Sequence, residues 1–153
     1  MSRDFTRVGR SRIEGTGVFA KRRIPRGTRI FEYLGQRRTL SSVLLDDGSY
    51  GDHTYLFRLN EQILIDGSVG GNDARFVNHG CEPNCEAYIF DDRLYFYAMR
   101  DIRRGEELTI DYHLTLTLGR ARGKVRELYA CHCGAPSCRG TMLATRRRRS
   151  RSQ

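Results

Sequence analysis

No stretch of the 153-residue chain approaches the roughly 18 consecutive apolar residues that a transmembrane helix needs, so a membrane-spanning helix is not expected. The N-terminus, Met1-Ser-Arg-Asp-Phe-Thr-Arg7, lacks the apolar core of a secretory signal. Synthesis into a reducing compartment is therefore the expectation, and the five cysteines point to metal binding or free thiols rather than disulfides. No long segment keeps a helical period and no internal repeat is present, which excludes helical bundles and solenoids. A basic helix and an aromatic-studded sheet motif are also missing, which argues against a dedicated nucleic-acid reader.

What is present is a single-domain length with a soluble balance of 39% hydrophobic and 29% charged residues. Lys and Arg number 27 against 18 Asp and Glu, a net +9. Arg146 to Arg149 and Arg151 hold five of those cations, leaving 22 against 18, so the body is only mildly basic at +4. The tail from 146 to 153 reads as a disordered basic extension, suited to nucleic acid, to an acidic partner or simply to solvent.

Short β-branched and aromatic runs bounded by Gly, Pro and Asp predict a mainly β protein. Val8 to Phe19 reads as a strand broken by a tight Gly15-Thr16-Gly17 turn, and Thr28 to Leu34 as a second strand. Residues 36 to 53 are polar, with one helical turn at Ser41 to Leu45. Tyr55–Leu59 with Ile63–Ile65, and Glu86–Phe90 with Leu94–Met99, predict two hairpins. A short helix is expected near Asn72 to Arg75, and a last strand over Leu108 to Tyr112.

Chemistry concentrates in two places. Arg75-Phe-Val-Asn-His-Gly-Cys-Glu-Pro-Asn-Cys85 packs Asn78, His79, Cys81, Asn84 and Cys85 around Gly80 and Pro83. Those two residues forbid a regular helix or strand, so the polar groups need partners other than a backbone ladder. The second place is Cys131-His-Cys-Gly-Ala-Pro-Ser-Cys138. Three thiolates at this spacing fit one metal ion, and tetrahedral zinc requires a fourth ligand from elsewhere. His132 is poorly aimed; Cys81 and Cys85 are the candidates.

Together these pieces resemble the SET-domain protein-lysine methyltransferases with a post-SET zinc motif. The resemblance is carried, in order, by Ile13 to Ala20, Ile24 to Gly35, Arg75 to Asn84, Gly105 to Tyr112 and Cys131 to Gly140. It implies the SET fold (β-clip), several small curved sheets with a C-terminal pseudoknot at Asn78-His79 and a zinc-binding segment. The implied division is a SET domain over 1–118, a post-SET zinc segment over 119–145 and the basic tail over 146–153. The implied activity is methyl transfer from S-adenosylmethionine, giving S-adenosylhomocysteine, to a lysine of a histone or histone-like protein. An inactive SET-fold binding module for chromatin or nucleic acid is the alternative.

By the same resemblance the zinc ligands are Cys81, Cys131, Cys133 and Cys138, with Cys85 a small buried apolar residue. Tyr112 supplies the hydroxyl near the reacting methyl and Tyr55 the channel wall. Glu14, Gly15, Thr16, Gly17 and Val18 line the cofactor by main chain. Asn78 meets its amino-acid end and His79 its adenine. Leu143, with Met142 and Tyr129, covers the adenine. Ile110, where many members carry Tyr or Phe, faces the substrate channel, and its lack of a hydroxyl predicts di- or trimethylation. Gly80 stands for the usual Ser and is expected to be tolerated. No cysteine-rich segment precedes the domain, so a stand-alone catalytic unit is expected. The location implied is cytoplasmic for a bacterial member and nuclear for one acting on chromatin.

Overall fold

The computed structural model describes residues 4–43, 55–112 and 130–142. In chain order the first strands are β1 (Thr6–Arg10), β2 (Thr16–Ala20), β3 (Arg29–Glu32) and β4 (Gln36–Thr39), the last followed by one helical turn, α1 (Leu40–Val43). Next come β5 (Leu56–Arg58), β6 (Ile63–Asp66), a 3₁₀ turn over Asp73–Phe76, and β7 (Asn78–His79). The series closes with β8 (Cys85–Phe90), β9 (Arg93–Ala98) and β10 (Thr109–Ile110). These strands form three small sheets, β1-β2, β3-β9-β8-β10-β7 and β4-β6-β5. The mainly β expectation holds.

Both predicted hairpins form. In the second, Phe90 pairs with Arg93 across Asp91 and Asp92, whose φ angles of 52° and 57° give the left-handed turn that suits the twist of the strands. The polar stretch after Gly35 contains an unexpected strand, since β4 pairs along β6 from Gln36↔Asp66 to Thr39↔Ile63. An edge strand needs few apolar residues, which is why composition hid it.

The Gly15-x-Gly17 expectation is corrected in part. The turn is Ser11 to Gly15, with the Ser11 hydroxyl accepting the Ile13 amide at 2.9 Å and Gly15 at φ 34°. Gly17 lies inside β2, and its glycine answers to space. A Cβ there would fall 2.2 Å from a Glu107 carboxylate oxygen.

The knot also forms a ladder where none was expected. Asn78 and His79 pair in parallel with Thr109 and Ile110, because Gly80 and Pro83 fall just beyond the two paired residues. The predicted strand at 108–112 shortens accordingly. Leu108 instead donates its amide to Val18 at 2.8 Å, tying β2 to the knot, and past Ile110 the partner strand has ended. β10 is thus inserted between β7 and β8, pairing Ile110 with both His79 and Cys85.

Beneath the sheets lies one main core that includes Val18, Ile24, Leu94, Phe96, Ile102, Leu108 and Ile110, each 2% exposed or less. Burying each such side chain stabilises by about 1.5–3 kcal/mol. Cys85 belongs to this core, as expected, and burial pushes its thiol up to about 12, leaving it inert.

Candidate active site and metal centre

The site is assembled where β2, β7 and β10 meet. Asn78 anchors it: the side-chain amide nitrogen donates to the carbonyls of Glu14 at 3.0 Å and Thr16 at 3.1 Å, and to Glu107 Oε1 at 3.0 Å. The Ser11 hydroxyl donates to the same Glu107 oxygen at 2.7 Å. Residues 14 to 17 are thereby drawn onto the knot, and Gly15 has open space where a Cβ would stand. Val18, at 0% exposed, points into the core.

Tyr112 follows β10. Its hydroxyl donates to the Val77 carbonyl at 2.5 Å, and its ring packs edge-on against Phe57 at 5.7 Å and His79 at 5.3 Å. Burial, reinforced by the nearby acidic groups Tyr55, Glu107 and Glu14, holds the Tyr112 phenol well above its usual pKa, so the hydroxyl stays protonated. Tyr55 is half-buried with its ring 6.0 Å from Phe76. Its carbonyl accepts the Tyr33 hydroxyl at 2.7 Å. Ile110 is buried in the core between His79 and Cys85.

The His79 ring joins this site to a second one. Nδ1 accepts the Tyr112 amide at 3.1 Å, so the neutral ring carries its proton on Nε2, which faces Cys81 Sγ at 3.4 Å. The ring is 2% exposed and cannot exchange these partners for water.

Cys81, Cys131, Cys133 and Cys138 bring their sulfurs within 4.8 Å of one another. Cys81 Sγ lies 3.7 Å from Cys131 Sγ and 4.0 Å from Cys138 Sγ, too far for a disulfide. Four sulfurs about 2.3 Å from one tetrahedral centre stand about 3.8 Å apart, so the cluster fits a zinc site. Burial pushes the Cys81 and Cys131 thiols up. Burial acts on Cys133 too, but the amides of Cys81 and Ala135 and the neighbouring thiols hold it down at about 7. The amides of Cys81 and Arg139 also point at the cluster, donating to Cys133 Sγ at 3.5 Å and Cys81 Sγ at 3.4 Å. Such donors stabilise thiolate charge.

Four supporting residues were given no role in the sequence reading. Arg139, beside the last cysteine, grips Asp111 with two hydrogen bonds of 2.8 and 3.1 Å, locking the residue before Tyr112 to the cysteine segment. Asn84, 4% exposed, donates to the Glu107 carbonyl at 2.8 Å and accepts the Thr109 amide at 2.9 Å. Glu107 and Tyr33 complete the set. Asn84 sat in the polar knot and was visible there; the partners of the other three lie 22 to 96 residues away. Tyr129 and Leu143 lie outside the described residues, as does the basic tail, and Met142 is half-buried at the end of the last described segment.

Residues 15–113 match the SET domain. The chain belongs to the SET-domain family. Human histone-lysine N-methyltransferase 2B is 38% identical over 148 residues, covering 90% of this chain and 5% of that protein. The H3 lysine-4 specific histone-lysine N-methyltransferase of Schizosaccharomyces pombe is 38% identical over 141 residues, covering 86% and 14%. Histone-lysine N-methyltransferase trithorax of Drosophila virilis is 34% identical over 146 residues, covering 90% and 4%. This SET-domain chain thus spans only 4 to 14% of the length of these relatives. Among its described residues no helix is long and apolar enough to cross a membrane.

Proposed function

We propose that this SET-domain chain is an S-adenosylmethionine-dependent protein-lysine N-methyltransferase whose substrate is a histone or histone-like protein. The observation that carries the reading is the convergence of the Glu14–Thr16 main chain, Asn78 and a protonated, half-buried Tyr112 on one point of the knot. The named activity of the relatives supports the same assignment.

The chain's own groups suit methyl transfer to an amine. When bound, S-adenosylmethionine supplies a methyl activated by a sulfonium. The carboxylates of Glu14 and Glu107 make the Tyr112 surroundings negative, which favours a cationic guest. Phe57 and Tyr112 form an aromatic wall, extended by Tyr55, that strips water from an entering lysine. Desolvation disfavours the ammonium, whose free pKa is about 10.4, so the proton leaves to water and no general base is required. The Tyr112 hydroxyl, tied to Val77, keeps its oxygen lone pairs for the amine or for polarised C–H donors. A lysine amine held by these groups would be oriented for the in-line displacement that methyl transfer requires.

In this reading residues 1–118 are the catalytic unit, 119–145 the zinc segment and 146–153 a tail that contacts nucleic acid or an acidic surface. Glu14 to Val18 with Asn78 and His79 hold the cofactor, joined by Tyr129 and Leu143, and Ile110 leaves room for di- or trimethylation. A chromatin substrate places the protein in a nucleus, its own or a host's. The test is transfer of labelled methyl to a panel of core histones and basic proteins. Label on one protein, at least 100-fold slower with Tyr112→Phe, is expected. Cofactor binding without label on any panel protein favours the inactive binding module, and a zinc-loaded folded chain that binds no cofactor refutes the reading.

A further inference from the structure

A second charged feature lies at the other end of β2 from Asn78. Segments 20–28 and 98–106 meet at one isolated antiparallel bridge, flanked by turns at 26–27 and 104–105. Ala20 bonds Gly105 and Glu106, Ile24 and Ile102 exchange both hydrogen bonds at 2.8 and 2.9 Å, and Gly27 and Thr28 bond Ala98. These bonds gather Arg22, Arg23, Arg26, Arg100, Arg103 and Arg104, all exposed, on two adjoining segments. Ile24 and Ile102 are fully buried beneath them, so the arginines are held on the outside.

The counter-charges are too few. Arg23 pairs with Asp101, Arg100 with Glu106 and Lys21 with Asp4. Arg26, Arg103 and Arg104 have no carboxylate partner among the described residues, and Arg22 has only the Asp4 carboxylate nearby, which is already paired with Lys21. With Lys21 the face carries seven cations against three acids, a net +4. That equals the whole excess of the chain once the tail arginines are set aside, so the rest of the body is balanced. Arg22 lies over Phe5 at 4.5 Å, and Arg7, over Phe19 at 4.9 Å, extends the array by one guanidinium.

We propose that this arginine cluster is a nucleic-acid backbone site, separate from the knot and from the tail. Seven cations against three carboxylates on two adjoining segments make a basic patch of the kind that phosphates neutralise. Six of its seven cations are arginine, whose fork binds phosphate with two parallel hydrogen bonds. An acidic protein surface fits less well, because protein interfaces centre on apolar anchors. Here Pro25 and Met99 are the only exposed apolar side chains in the two segments. Contacts to phosphate carry no sequence information, so binding through them is independent of sequence.

The test is fluorescence anisotropy of the full chain with a 20-base-pair DNA duplex between 50 and 200 mM salt. The variant R22Q/R26Q/R103Q/R104Q keeps the tail, and a second variant replaces the five tail arginines by Gln. Each lost phosphate contact lowers the slope of log affinity against log salt by about 0.9. The cluster variant is expected to lose about 3 to 4 in slope and at least tenfold in affinity at 100 mM. The tail variant is expected to keep the cluster's share. Single reversals R103E and R104E, each expected to lower the slope by at least 1, serve if the fourfold variant melts early. Wild-type slope and affinity in the cluster variant overturn the proposal. So does polyglutamate of matched charge displacing the duplex mole for mole through the same arginines, which assigns the face to acidic proteins instead.

Discussion

Replacing Cys81 with Ser tests whether metal binding, rather than packing, holds the cysteine segment onto the knot. Apart from the sulfur cluster, the contacts from 130–142 to the body include the Arg139–Asp111 ion pair and an exposed Ser137–Glu82 hydrogen bond. Together these contribute about 1–4 kcal/mol. Fixing the backbone of those 13 residues costs about 1 kcal/mol each at the low end, so the contacts alone fall short by roughly 10 kcal/mol. A structural zinc site supplies about 10–16 kcal/mol, the size of the deficit. Elemental analysis of the wild-type chain is expected to show one zinc per molecule, falling below a tenth in Cys81→Ser. Hydrogen exchange at residues 130–142 should then approach the rate of an unfolded chain. The body should keep its melting transition within a few degrees, since no ligand cysteine belongs to the main core. Full zinc content in Cys81→Ser, or protected amides in 130–142 after chelation, would refute the reasoning.

Three further perturbations are expected to give clear results. A Cβ on Gly80 would meet the Thr109 Cβ at 2.8 Å, so Gly80→Ser should cost about 1–3 kcal/mol in urea unfolding; Thr109→Ala should relieve it, and no change in either variant would contradict the packing. Asp66 is buried, and although burial alone would raise its pKa, Ser68 and Arg38 hold the carboxyl below its ordinary 3.8. Its contribution is therefore full above about pH 4 and is lost as pH falls through the depressed folded value. Asp66→Asn should cost about 2 kcal/mol at pH 7 and flatten the acid limb below about pH 4; an unchanged limb would remove Asp66 from the account. Ile110→Tyr should shift products toward monomethyl-lysine by mass spectrometry at completion, whereas the wild-type chain should pass beyond one methyl.

Much of the framework was legible because it rests on local chemistry. Asp91-Asp92 announces a hairpin, and Cys131, Cys133 and Cys138 lie close enough in sequence to imply one ion. Gly80 and Pro83 announced the knot's irregularity but not its ladder, since β7 exists only when β10 arrives from 31 residues away. Glu107 and Arg139 were illegible for the same reason. A glutamate in a turn and an arginine after a cysteine have no distinctive local surroundings, and their roles come from Asn78 and Asp111 across the fold. Gly17 was read as a turn residue when its smallness answers to Glu107, a partner no window of sequence contains.

The insertion of β10 between β7 and β8 also sets the order in which the molecule can be made. Neither flanking strand can complete its pairing until the chain has reached Ile110, and parallel pairing across such separations forms slowly. At 5 to 20 residues per second a ribosome leaves β7 waiting for at least about a second with one edge bare, the condition in which partly made β proteins stick to one another. Weakening β10 should therefore appear first as poor yield and slow refolding. Once the strand is in place, it can leave only by parting both neighbours at once.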